Sequence, residues 1–384
     1  MKMSRCWTSL LLIAAGFVTS VSGAERQLEG SLNAFLGEPR FDLQQLFKGD
    51  RFPNVVVTLD GTVLVTWGGN GVQARRSEDG GVHWDDEIIV VRSGLHGGGT
   101  TVDEITGDIL AFVEERHPPA PLTVFRSQDD GKTWQIVKAT IHPDSRGNVP
   151  SMHMNEHGIT LLHGEYKGRL LRPARHYGKE NSRQEWPHHY TTAIYSDDGG
   201  VTWMSSEPFP EQGTGEAAVA QLSDGRIYYN SRVHWEKRPK NTRRRCAFSD
   251  DGGQTWTNWR IVEVLPDGQQ HRSYGCMGGL VRLPVQGKDI LVFSNLDTTR
   301  AARERVTVWT SFDGGTTWPV KRLIYQGPSA YSSLGAGRPG TPSEGWIYLH
   351  FEGGPGGGSH LAKFNLSWLL GGEATGDGTI PTGL

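Results

Sequence analysis

The sequence predicts an all-β fold, a six-bladed β-propeller built on Asp-box hairpins. Three observations carry that expectation. A motif of the form Ser-x-Asp-x-Gly-x-Thr-Trp recurs at residues 77–84, 127–134, 196–203, 249–256 and 311–318. Successive copies start about 50 to 70 positions apart, the period of propellers and solenoids. The chain also carries 51 Gly and 13 Trp among 384 residues, which suits a fold of many tight hairpins packed on aromatic side chains.

Each part of the motif has a structural reason. The Asp carboxylate can accept from backbone N–H groups of its own turn, and Gly supplies the positive φ that a tight hairpin demands. The Trp opens the next strand and can pack between neighbouring sheets. β-Branched and aromatic runs precede the copies, as in Thr-Thr-Ala-Ile-Tyr-Ser before the third and Val-Thr-Val-Trp-Thr-Ser before the fifth, and read as strands. Five boxes leave the blade count open, because a blade can lack its box. A sixth blade fits the C-terminal segment 345–352, closed by strands from near the N-terminus. Gly and Pro interrupt every candidate window for a long amphipathic helix. Segments 116–121 and 237–242 read as loops, residues 172–189 as a long functional loop, and residues 371–384 as a disordered tail.

Composition narrows the setting. A net charge of −3 argues against a nucleic-acid binder. Lys2 and Arg5, an apolar stretch over 10–18 and small residues at 22–24 read as a signal peptide over 1–24. The stretch is too short to span a bilayer, so the expectation is a secreted or periplasmic protein with a single propeller over 25–370. Cys246 and Cys276 make no disulfide framework and show no metal-ligand spacing; they read as buried small side chains. No cofactor and no metal is expected.

Beyond the boxes, several segments stand in order: Arg51-Phe52-Pro53 before a strand; the segment 157–177; Gly215-Glu216 opening the run 215–232; Arg244 five residues before Ser249; the segment 273–283; Arg303 eight before Ser311; and Tyr331 within 327–337, followed by Glu352. Together they resemble the exo-sialidase (neuraminidase) family over residues 51–352. The resemblance implies that Arg51, Arg244 and Arg303 form an arginine triad, that Tyr331 is the nucleophile with Glu216 as its base, and that Glu352 orients Arg51. It also implies a sialylated or other acidic glycan as partner.

The chemistry agrees with that combination. A sialic acid carries a carboxylate on its anomeric carbon, and the planar arginine fork matches a carboxylate. The same carboxylate repels an anionic nucleophile: two unit charges 4 Å apart cost about 4 kcal/mol at an effective dielectric near 20. A neutral tyrosine avoids the repulsion, and a carboxylate such as Glu216 can take its proton as attack begins. Tyr-nucleophile sialidases are a known exception to two-carboxylate glycosidases. The chain departs from the family after its first long strand, over 62–67. The following segment, Gly-Gly-Asn-Gly-Val-Gln-Ala, contains neither the loop arginine nor the acid/base aspartate. His96, Asp103, Glu114, Glu115, His117, His176, His188 and His189 are the candidate proton donors. A non-catalytic acidic-glycan binder and a glycosidase for another carboxylated sugar are the alternatives to sialidase activity.

Overall fold

The computed structural model describes residues 26–179, 181–182, 184–233, 242–267, 276–299 and 302–384. The signal peptide expected over 1–24 and most of the loop expected over 237–242 lie outside the described residues.

The described strands form six antiparallel blades. Asn54–Val57, Val63–Trp67, Val72–Ser77 and Ile88–Val91 make blade one, and Leu95–Val102, Ile109–Glu114, Leu122–Ser127 and Gln135–Val137 make blade two. Blade three runs from Ile159–Thr160 through Leu170–His176 and Tyr190–Ser196 to Thr202–Ser205. Thr140–Ile141 lies parallel to its outer strand. Blade four is Thr214–Gln221, Ile227–Val233, Arg243–Ser249 and Thr257–Pro266. Leu280–Arg282, Leu291–Leu296 and Glu304–Ser311 belong to blade five, which shares the long strand Val320–Ala336 with blade six. Val320 through Pro328 pair with blade five, and Ser329 onwards with Ile347–Gly353. Ser359–Phe364 comes next, and the N-terminal strand Phe41–Phe47 completes blade six, with Phe41 opposite Phe364. Chain ends far apart in sequence thus latch the ring.

Apolar side chains fill the gaps between neighbouring blades. Phe112 meets Trp203 of the next blade at 5.6 Å between ring centroids, and Tyr228 faces Trp318 at 6.3 Å. Box tryptophans therefore pack between sheets, where burial of a large aromatic stabilises most. Cys246 and Cys276 are free and buried.

All five boxes share a core of hydrogen bonds: the Ser hydroxyl donates to the Asp carboxylate and accepts from the N–H of the fifth residue, a glycine, and the N–H of the seventh residue donates to the same carboxylate. In the third, Ser196 Oγ donates to Asp198 Oδ1 at 2.8 Å and accepts from Gly200 N–H at 2.9 Å. The N–H groups of Val201 and Thr202 donate to Asp198 Oδ1 at 3.1 and 2.8 Å. Gly315 of the fifth box has φ 85°, and a Cβ there would lie 2.7 Å from the Tyr228 ring, so glycine is required twice over. Each box begins at the end of the third strand of its blade, at the end of the ring where the first strand finishes and the second begins.

Two expectations differ from the structure. Residues 172–176 of the expected functional loop belong to the strand Leu170–His176, with Arg172 and Arg175 fully buried; only 177–189 connect strands. Arg172 donates to the carbonyls of Gly97, Gly98 and Gly99. The polar composition of 371–384 predicts disorder, yet Glu373–Ala374 pairs with Lys321 and Val320, and Asp377 accepts from Trp318 N–H at 2.9 Å. An open strand edge offers pairing that composition does not reveal.

Candidate active site

The antiparallel order sets where the chemistry gathers. Arg51 and Phe52 precede the inner strand of blade one. Glu216 stands near the start of the inner strand of blade four, and Tyr331 where the long strand passes into blade six. Arg232 ends the second strand of blade four, and Arg303 precedes the third strand of blade five. All lie at the end of the ring opposite the boxes, so the boxes take no part in the site. Glu216 and Tyr331 both sit at irregularities in strand register, between Thr214 and Ala217 and between Ser329 and Ser332. Such bulges re-aim side chains off the regular pleat.

Tyr331 is the centre. Its hydroxyl lies 3.3 Å from Glu216 Oε1, and its ring lies beneath two guanidinium groups, Arg51 at 4.9 Å and Arg303 at 5.0 Å from the centroid. Burial, then the Glu216 charge, pushes the phenol above its ordinary pKa, so it is neutral at physiological pH. Glu352 grips Arg51 with both oxygens, at 3.1 Å to Nε and 3.3 Å to Nη2, and accepts from the N–H of Phe52 and of Tyr331. Burial works against the charge of Arg51, but Glu352 and Tyr331 outweigh it. The Arg51 side chain is still 45% exposed and open to a ligand.

The Arg244 expectation is corrected. Arg244 is fully buried, and its guanidinium is consumed by the fold: Nε donates to Asn230 Oδ1 at 2.6 Å, and Nη1 pairs with Asp267 at 3.0 Å. Nη2 reaches the carbonyls of Glu216 and Asn230. Arg232, which sequence reasoning missed, occupies the position beside Glu216 and Tyr331 instead. It pairs with Glu216 Oε2 and feels the charge of Tyr331. Ser231 pairs with Arg245, so Arg232 and Arg244 are cross-strand neighbours one step further on. Arg232 closes the run 215–232, sixteen residues after Glu216, and this alternation of strand residues was the available signal.

The eight candidate donors separate clearly. His96 uses both ring nitrogens, against Thr66 Oγ1 at 2.7 Å and Gly99 N–H at 3.1 Å, and burial drives its pKa down to about 3. Asp103 binds backbone N–H groups of the turn after its strand, at the box end of the ring. Glu114 is buried and accepts from Ser151 Oγ, Met152 N–H and His153 N–H. Glu115 pairs with Arg116 on the surface. His176 packs on Tyr190, His188 ends the short turn Trp186–His188, and buried His189 contacts Arg175 Nη2 at 2.9 Å. His117 remains. It is exposed, on the loop between the second and third strands of blade two, and lies within reach of the Glu216 charge. Two further side chains join it, both unforeseen: His153, which meets Phe52 edge-on at 5.2 Å, and Tyr177. Among the described residues no group of three or more His, Cys, Asp or Glu is placed to hold a metal ion.

Comparison with known proteins bears on the family and the fold. A family profile described as a BNR repeat-like domain matches residues 71–341. The chain is 30% identical to a sialidase of Micromonospora viridifaciens, over 94% of this chain and 60% of that protein. It is 27% identical to a sialidase of Bacteroides fragilis, over 71% of this chain and 55% of that protein. The chain thus spans little more than half the length of these relatives. Among solved structures, one titled Hadza microbial sialidase Hz136 superposes with a TM-score of 0.63 at 24% identity, covering 83% of this chain and 66% of that one. A leech intramolecular trans-sialidase superposes with a TM-score of 0.63 at 16% identity, covering 85% and 70%. At these identities the superpositions speak for the fold, which is that of a sialidase-type propeller. With the profile spanning most of the ring and five box hairpins in place, the chain belongs to the BNR repeat-like domain family.

Proposed function

We propose that the protein is an exo-sialidase, a retaining glycosidase that releases terminal α-linked sialic acid from glycoconjugates. The observation that carries the reading is the Tyr331 hydroxyl 3.3 Å from Glu216, with Arg51 and Arg303 over the same ring. Arg51, Arg232 and Arg303 converge on the nucleophile, and three cations suit a substrate whose carboxylate sits on the reacting carbon. Arg232 takes the place expected for Arg244. The raised pKa of Tyr331 keeps the phenol neutral until attack, so the substrate carboxylate meets no anion. As Tyr331 Oη bonds to the anomeric carbon, its proton passes to Glu216 Oε1, while Arg232 holds the other carboxylate oxygen. Relatives named as sialidases at 24–30% identity support this reading. So does the basic and apolar N-terminal pattern for export. Among the described residues no helix is long and apolar enough to cross a membrane.

The test is release of free sialic acid by the full chain from an activated aryl sialoside. Tyr331→Phe should lower turnover by about a thousandfold or more, the scale on which nucleophile deletions act. Its melting temperature should stay near that of the wild type, because the ring and its two cation contacts remain. Full activity in that variant refutes the nucleophile. Binding of a sialoside by the wild type without product would support an acidic-glycan binder instead.

A further inference from the structure

We propose that His117 is the general acid and base of this site, protonating the departing glycosidic oxygen and later deprotonating the attacking water. The inference rests on the sialidase reading above and supplies the proton donor that reading needs. A sugar alcohol leaves slowly unless its oxygen is protonated as the C–O bond breaks.

Geometry singles out this residue. The donor must be accessible at the Tyr331 end of the ring and must titrate near neutrality. Of the described histidines around the site, His153 and His189 are fully buried, whereas His117 is exposed. His117 is also held in place. Its ring meets His153 edge-on at 5.0 Å and Tyr177 at 5.4 Å. His153 in turn meets Phe52 at 5.2 Å, and Phe52 stacks on Tyr331 at 6.2 Å. A continuous wall of rings thus runs from the nucleophile to His117. Nδ1 lies 3.1 Å from the Pro118 carbonyl, which can only accept, so that nitrogen carries hydrogen. The Asn181 amide nitrogen stands 3.3 Å from both ring nitrogens, so with Nδ1 held by the Pro118 carbonyl it is Nε2 that is left to gain and lose the working proton.

Its electrostatic setting fits the task. Among the described residues the titratable and charged groups that face it include Glu216, Arg175, His153, His189 and Tyr177. Burial lowers the His117 pKa and Arg175 adds to this, while the Pro118 carbonyl and Glu216 oppose. Its neighbours do not compete for the proton. His153 is driven far below the imidazole range by burial, and burial raises the Tyr177 phenol above its usual value.

The steps balance. In the first, Tyr331 Oη bonds to the anomeric carbon, the bond to the aglycone oxygen breaks, and that oxygen takes the Nε2 proton of His117; the phenol proton moves to Glu216. In the second, neutral His117 takes a proton from water as the water oxygen bonds to the anomeric carbon. The Tyr331 bond breaks, and the phenol recovers its proton from Glu216. No outside reductant or oxidant is involved.

The experiment compares His117→Ala and His117→Gln with the wild type on two substrates: a sialyl-galactoside, whose alcohol needs a proton, and an aryl sialoside, whose phenol does not. On the galactoside, kcat/KM should fall about 100-fold or more, and on the aryl substrate the first-turnover burst should stay within roughly tenfold. The glycosyl adduct on Tyr331 should accumulate and be visible by intact mass, and azide should speed its turnover. The wild-type alkaline limb on the galactoside should lie below the ordinary imidazole range and vanish in both variants. Equal losses on the two substrates, or wild-type rates on the galactoside, overturn the assignment. A wild type that cleaves neither substrate overturns the sialidase reading and this inference together, whereas an active wild type with an unaffected His117→Ala overturns this inference alone.

Discussion

Arg244 and Arg232 stand side by side, and substituting each by methionine should separate support from function. Arg244→Met removes the partner of Asp267, a carboxylate that is fully buried and whose pKa burial raises to about 6 even beside Arg244. It also strands Asn230 Oδ1 and the carbonyls of Glu216 and Cys276. Breaking a buried ion pair from one side costs about 3–5 kcal/mol. Unfolding entropy of about 2.1 cal/mol/K per residue, over 384 residues, gives about 0.8 kcal/mol per degree, so melting should fall by about 4–6 °C. Converting Asp267 to Asn in the same chain should restore more than half of that loss, because no charge is then left unpaired. KM for an aryl sialoside should stay within about threefold in Arg244→Met, since a residue without ligand contact removes no binding energy. Arg232→Met also breaks a buried pair, with Glu216, so it too should lower the melting temperature, but it should differ in activity. Losing one charged hydrogen-bonding partner of the substrate is worth about 1.5–3 kcal/mol, or roughly 10- to 150-fold in kcat/KM. Calorimetry and steady-state kinetics on the two variants decide the matter. An Arg244→Met protein that melts like the wild type but loses 100-fold in kcat/KM would refute the reassignment.

Two further outcomes concern the ionisable groups. Asp198→Ala removes two backbone acceptor contacts and one from Ser196 at the end of the ring opposite the site, so it should cost about 1–2 kcal/mol with KM unchanged. Burial opposes the Asp198 charge, but backbone and hydroxyl donors win and lower its pKa. Its stabilisation is therefore present above the unfolded value and lost as pH falls below it, and acid unfolding of Asp198→Ala should be shallower. Asp267 has the opposite sign. Its folded pKa of about 6 lies above the unfolded value, so its favourable contribution is complete below the unfolded pKa and disappears as pH rises through about 6. Melting of Asp267→Asn against wild type, measured from pH 4 to 7, should show a difference that shifts in favour of the variant as pH rises. A constant difference would refute a raised Asp267 pKa.

The ring was legible because its signal is local. Each Asp box closes hydrogen bonds within eight residues, so five copies announce five hairpins without knowledge of anything distant. That Arg51, Glu216, Arg303, Tyr331 and Glu352 meet at one end of the ring was likewise readable, because their order and their distance from the boxes determine which end of a blade they reach. Only the tertiary structure decided between Arg232 and Arg244. Both lie on adjacent strands of one blade, and the choice depends on which guanidinium meets buried Asp267 and which meets Glu216. Both side chains are fully buried, so the difference lies in which partner each meets across the packed blade, which linear spacing does not encode. His117 and His153 approach one another from the second blade and the segment before the third, and Phe52 joins them from the first. The tail after Leu370 was misread for the same reason: its partner is the edge of a strand more than fifty residues away. Sequence determined the repeating hairpins through short-range hydrogen bonding. Long-range packing decided which charges pair with Asp267 and Asn230 inside blade four and which gather around Tyr331 at the end of the ring opposite the boxes.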